Sequence, residues 1–233
     1  MKLYLSFMTT LKNDTTSDLR TRLLESATKI IRKEGIGKLT MRALAGQVGV
    51  SRTAPYLHFK SKAALLSAIA EGGFKQLTVN YQKINNDKSL STEMKLQCIG
   101  LAYIRFAIDH PGVFSLMFSR EIADNKSSGE LLSSSSETFT VFIDVVKAFQ
   151  IEWGLTDIDF ISLVNQFWST VHGLADLLIN NQIQVVGEKH GYPTLIGGEV
   201  SDFEDETSAK IEFAEMILKT VVKSFPHSKN RNL

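Results

Sequence analysis

Apolar residues recur at three- and four-residue spacing along most of the chain, the pattern of helices that each bury one face. Leu19, Leu23, Ala27, Ile30 and Ile31 form such a stripe between Asp18, a candidate cap, and Gly35, which predicts a helix over 18–34. Thr40 can cap a short helix in which Leu44 and Val48 lie four apart, and Gly49 stands where a left-handed residue would stop it. Ser51 can cap a second short helix, with Pro55 in its first turn, where a missing N–H costs least. A long helix from Ser61 to about Ile84 follows, with Leu65, Leu66, Ile69, Phe74, Leu77 and Tyr81 at helical spacing. Its Gly72-Gly73 pair costs about 1 kcal/mol per glycine relative to alanine, so it predicts a bend, a close contact or a hinge.

The polar stretch 85–92 separates this helix from one over 93–108, whose Leu96, Ile99, Tyr103, Ile104 and Ala107 face inward until Asp109-His110-Pro111-Gly112 stops it. A loop at 124–129 precedes a helix over 130–153 with Leu132, Phe139, Phe142, Ile143, Val146 and Phe149 as its apolar positions; the serine run 133–136 could delay its start. Thr156 with Asp159 predicts an acidic capping box opening a helix over about 157–180. That helix is apolar around most of its circumference, which requires cover on two sides, from its own core and from a partner subunit. Residues 181–207 form a long glycine-containing connection that we expect to be disordered or to wrap a dimer. The last helix, 208–225, carries Ile211, Ala214, Leu218, Val221 and Phe225 as a stripe that can pair with the helix at 157–180, giving a four-helix interface between two subunits. The expected fold class is all-α.

Composition adds two constraints. With 43% hydrophobic and 22% charged residues and no apolar run near the ~18 residues of a membrane span, the chain is an ordinary globular one, expected in the cytoplasm and off the membrane. Its lone Cys98 excludes an internal disulfide and a cysteine-based zinc site and suits a reducing compartment. Net charge is +1, but residues 1–60 carry 11 Lys and Arg against 4 Asp and Glu, so this part is +7 and the remainder −6. A basic small unit on an acidic larger one suits a head that binds phosphates. The five histidines are scattered, Cys98 has no recognisable base, and phosphate-loop and dinucleotide glycine motifs are missing, so neither an enzyme, a cofactor nor a metal site is expected.

Two short helices across a glycine-containing turn read as a helix-turn-helix, and the second would fit the major groove of double-stranded DNA. Arg42 offers a guanidinium fork to guanine O6 and N7, and Arg52 and Thr53 open the second helix where side chains first reach base edges. Tyr56 brings a hydroxyl for phosphate and a ring for a thymine methyl, and His58 a ring N–H for the backbone. Phe59 reads as the hydrophobic plug beneath them. Ser61 caps the long helix, with Lys62 beside its free amides as a phosphate corner and Lys60 as a weaker one.

Thr40-Met41-Arg42, Leu44-Ala45, Val48-Gly49-Val50-Ser51, Tyr56-Leu57-His58-Phe59-Lys60-Ser61-Lys62 and Ala64-Leu65-Leu66 together resemble the DNA-binding head of TetR-type bacterial transcriptional regulators, over about 19–66. Many members have threonine where this chain has Ala54, so one hydrogen bond to DNA is absent. Tyr103 to Phe118, through the His110-Pro111-Gly112 corner, resembles the body of such regulators, and Trp168-Ser169-Thr170-Val171-His172-Gly173 resembles the Trp-x-x-x-His-Gly signature of one C-terminal class. The resemblance implies a tail at 1–17, a DNA-binding head at 18–62, a ligand-binding and dimerisation body at 63–225 and a tail at 226–233. It implies a homodimeric repressor held on a palindromic operator by Thr40, Arg42, Ser51, Arg52, Thr53, Ala54, Tyr56, His58, Lys60 and Lys62. A small apolar or aromatic effector would release it, drawn to Phe106, Phe114, Met117, Phe118, Phe142, Phe167, Trp168 and His172. His172 is either a polar anchor in that pocket or a histidine satisfied in the core. The alternative is a DNA-binding regulator without inducer, architectural or dependent on a corepressor.

Overall fold

The computed structural model describes residues 15–124, 129–184, 194–195 and 206–226. Both tails, the 124–129 loop and the long connection fall largely outside them. Among the described residues ten α-helices carry the fold: α1 (Thr15–Glu34), α2 (Met41–Val48), α3 (Ala54–His58), α4 (Lys62–Asn86), α5 (Thr92–Asp109), α6 (Pro111–Met117), α7 (Arg120–Asp124), α8 (Gly129–Trp153), α9 (Phe160–Ile179) and α10 (Glu206–Lys223). A two-residue antiparallel pair, Ile183–Gln184 with Thr194–Leu195, ties the ends of one part of the long connection together. The architecture is otherwise all-α, with a three-helix head and a larger helical body.

Where helices start follows local chemistry, and some predicted caps move. Helix α1 begins three residues before Asp18, which therefore lies inside it. Helix α9 begins at Phe160 because Asp159 itself accepts the Ser162 N–H at 2.8 Å; Thr156 instead turns to its neighbour Asp157. Helix α8 runs straight through the serine run, and its inner face is Leu131, Ser134, Thr138, Phe142 and Val145. Leu132, expected inward, is exposed. The stripe is rotated because Ser134 and Thr138 go inside: the Thr138 hydroxyl bonds the Ser134 and Phe74 carbonyls and lies 2.7 Å from the Thr78 hydroxyl. Burying a hydrogen-bonded hydroxyl such as that of Thr138 costs little, and an apolar count cannot see it.

Gly72-Gly73 does not break α4. A Cβ on Gly73 would collide with Met117 Sδ and lie 3.2 Å from Val113 Cγ1, whereas one on Gly72 would meet open space. Of the three expectations, close contact is the one found, and it seats α6 on α4. On its other side α6 meets the head, where a Cβ on Gly112 would lie 2.7 Å from Ile31 Cγ2 and 3.0 Å from the Ile31 carbonyl oxygen. Small residues thus let α1, α6 and α4 stack into one seam between head and body, inside a core running from Leu23 to Phe225.

The last helix departs from expectation. Helix α10 packs chiefly on α5 and only lightly on α9, which also lies on α5. Gly100 of α5 explains this, since a Cβ there would lie 3.1 Å from Leu218 of α10 and 3.3 Å from Val171 of α9. Both helices close onto that bare backbone, so α5 stands between them and the pairing expected of α9 with α10 within one subunit is slight.

Candidate nucleic-acid interface and ligand cavity

The head is fixed by its turns. Thr40 accepts the Ala43 N–H at 3.1 Å, and Gly49, at φ 76°, ends α2 with its N–H on the carbonyls of the last turn. Arg22 of α1 donates to the Val48 carbonyl at 2.9 Å, so one side chain of α1 holds the end of α2. Ser51 does not cap α3. That helix starts at Ala54, and the Ser51 hydroxyl lies 3.1 Å from that of Thr53. Its N-terminus is formed instead by a backbone turn in which the Ala54 N–H reaches the Ser51 carbonyl at 3.1 Å. Phe59 is buried under the stack, as expected, with the Arg20 guanidinium 5.3 Å over its ring.

Around this frame Thr40, Arg42, Ser51, Arg52, Thr53, Tyr56 and Lys60 are exposed, and Ala54, His58 and Lys62 are half-buried. All ten predicted contact residues therefore come from the α2–α3 turn, the two short helices and the start of α4. Lys62 donates to the Ile36 carbonyl at 3.3 Å, which leaves two of its three ammonium donors. Leu57, 83% exposed on α3 between Tyr56 and His58, was missed. A large apolar side chain on so short and exposed a helix was the available signal, masked by the assumption that leucines point inward.

In the body a slot opens between α4, α5, α8, α9 and α10, with about 640 Å³ of atom-free space, part of it open to solvent. It is narrow: the centre of a water molecule can travel through ≈ 40 Å³ of it, room for about three waters. Phe74, Tyr81, Tyr103, Phe118, Phe139, Phe142, Phe167 and Trp168 supply aromatic walls, with Gln97, Thr138 and Thr170 as polar points.

Two family models match, one described as bacterial regulatory proteins of the tetR family over residues 23–69, the other as the tetracyclin repressor-like C-terminal domain over residues 96–192. The chain belongs to the TetR family. The first of these matches covers the helix-turn-helix of the head. The chain is 40% identical over 62 residues to the tetracycline repressor protein class C of Escherichia coli, 27% of each chain. It is 29% identical over 107 residues to the nucleoid occlusion factor SlmA of Marinomonas sp. (strain MWYL1), covering 46% of this chain and 54% of that one. The match thus spans about half or less of these relatives. A structure of the TetR-family regulator PfmR from Thermus thermophilus shares the fold, with a TM-score of 0.57 at 17% identity over 85% of this chain and 97% of that one.

Of the eight ligand candidates in this TetR-family body, Phe118, Phe142, Phe167 and Trp168 line the slot. Phe114 and Met117 do not; both are buried in the α6 seam. Phe106 faces a separate outer groove, stacked 5.1 Å from His110. His172 sits behind the wall, where its Nδ1 and the Tyr103 hydroxyl share a hydrogen bond at 2.7 Å, among Phe118, Trp168 and Phe114. Burial holds its pKa below the ordinary histidine value, against a smaller pull from Asp176. The ring is therefore neutral near pH 7, and it orients Tyr103. Sequence reasoning missed Tyr81 and Tyr103 as slot residues, because the stripes that placed them inside could not say which inner residues face a void, and it missed Thr138 because a polar residue is not counted in such a stripe.

Proposed function

We propose that this TetR-family regulator is a homodimeric, cytoplasmic repressor that leaves a near-palindromic operator when a small apolar or aromatic molecule fills the body. The observation that carries the reading is an aromatic slot in the body, joined through the α4–α6–α1 seam to a head whose polar face is open. Arg42, Arg52, Thr53 and Tyr56 discriminate bases; Thr40, Ser51, His58, Lys60 and Lys62 hold the backbone, and Ala54 packs against the groove. Dimerisation runs through the outer faces of α9 and α10, where Ile161 and Met216 remain 68% and 53% exposed. Two heads about one helical turn (~34–36 Å) apart then meet successive major grooves. Effector works by binding more tightly to the form whose head spacing misses the operator.

Footprinting of DNA upstream of its own gene, with sedimentation of the purified chain, tests this directly. A protected inverted repeat bound by a dimer is expected. A monomer, or protection of a site without symmetry, sinks the reading. The likeness to nucleoid occlusion factors favours a second one, in which the dimer binds DNA architecturally and no small molecule releases it.

A further inference from the structure

We propose that the slot is built for an uncharged, largely apolar molecule of about one ring, carrying one hydrogen-bond acceptor that takes the proton of the Tyr81 hydroxyl. This rests on the reading of the slot as the effector site and adds the chemistry that decides what enters.

The slot is lined mainly by aromatic and aliphatic side chains, and none of the described residues lining it is charged. A carboxylate or ammonium entering it would shed water and meet no countercharge, which is costly. The imidazole just behind the wall, His172, is held neutral by its surroundings. The other hydroxyl and amide side chains on the wall each have a protein partner. Thr138 bonds the Phe74 and Ser134 carbonyls, Thr170 the Gln166 carbonyl, and Gln97 the Glu93 carboxylate. The Tyr103 hydroxyl pairs with His172 Nδ1 at 2.7 Å.

Tyr81 is different. Only 5% of it is exposed, it lines the slot, and its hydroxyl makes no hydrogen bond among the described residues. Burial pushes its pKa far above that of free tyrosine, so it remains a proton donor throughout the working range. Among the described residues only the Ser119 hydroxyl is fully enclosed without a partner, so water can still reach the Tyr81 hydroxyl. A ligand that displaces this water must replace its hydrogen bond, which marks where a ligand carbonyl, ether or alcohol oxygen belongs. Flat walls formed by Phe74, Phe118 and Phe142 set the shape of the remainder to a ring.

The test titrates the full chain with acetophenone, ethylbenzene, benzoate and benzylammonium, which share a ring and differ in what it carries. Calorimetry reads binding, and release of a labelled fragment from upstream of its own gene reads function. Acetophenone is expected to bind about 5-fold or more tighter than ethylbenzene, the worth of one hydrogen bond, and tighter still than either ion. Tyr81→Phe should abolish the ketone's advantage and leave ethylbenzene unchanged. A ketone preference that survives in Tyr81→Phe, ions that bind as well as the ketone, or no binding by any of the four overturns the assignment. Ketone binding that depends on Tyr81 but releases no DNA leaves the assignment standing and defeats the effector reading. Benzoate that binds and releases DNA does the reverse.

Discussion

Gly72 and Gly73 are neighbours in one helix with the same backbone conformation, so they share the helix-propensity gain expected on changing either to alanine, about 0.5–1 kcal/mol. They differ in what the new methyl meets. At Gly72 it meets nothing, and the gain is realised. At Gly73 it must displace Met117 Sδ and crowd Val113 Cγ1, and both belong to buried residues of α6. Overpacking of that kind costs about 1–3 kcal/mol. Propensity cancels in the comparison, so the two variants should differ by the overpacking cost alone. At ~2–4 °C per kcal/mol for a chain of this size, Gly72→Ala should raise Tm by a few degrees and Gly73→Ala should melt below it by ~2–12 °C. Thermal unfolding followed by circular dichroism, at one protein concentration, reads this. Adding Met117→Ala makes the check sharper: truncating Met117 should cost less in the Gly73→Ala background than in the natural chain, because the new methyl occupies part of the vacated space. Equal shifts for Gly72→Ala and Gly73→Ala, or additive Gly73 and Met117 changes, would show that α6 does not rest on this glycine.

Arg42→Ala should cost about 1–3 kcal/mol on operator DNA and relax preference at one base position, whereas Lys62→Ala should weaken cognate and random DNA alike and flatten the salt dependence by about one unit. Gel retardation across a salt series separates them, and identical effects of Arg42→Ala on both DNAs would remove it from base readout. His172 has a folded pKa below its unfolded value, so the unfolded chain takes up a proton first as pH falls. Stability should hold above the ordinary pKa of 6.5 and decline as pH drops through it, with a shallower decline in His172→Gln measured by urea unfolding. His110, also depressed by burial, contributes in the same direction. A steeper acid loss in His172→Gln would contradict the assignment of a ring held neutral by burial.

The head was legible because its information is local. Thr40, Gly49, Pro55 and Ser61 act on backbone groups within a few residues, so their types and spacing determine where helices stop and start, and a charge surplus marks the binding side without any knowledge of the packing. Even there, the local reading erred where two choices were close in energy: Ser51 had a capping hydroxyl available, but a backbone turn from Ser51 to Ala54 opened the helix instead. In the body, periodicity named the inner faces of α4 and α5. It misjudged α8, where buried Ser134 and Thr138, the latter bonded to Thr78 and Phe74 of α4, rotate the stripe away from Leu132.

What sequence alone determined is thus the order of the helices, the turn between α2 and α3, and the polarity of the chain from basic head to acidic body. Each depends on contacts within about one turn of helix. The tertiary structure decided which inner residues border a void and which are packed solid, that α10 leans on α5, and that Gly73, Gly100 and Gly112 are the close-approach points. Those outcomes depend on which side chains from distant segments compete for one volume, and that competition exists only once the helices are assembled.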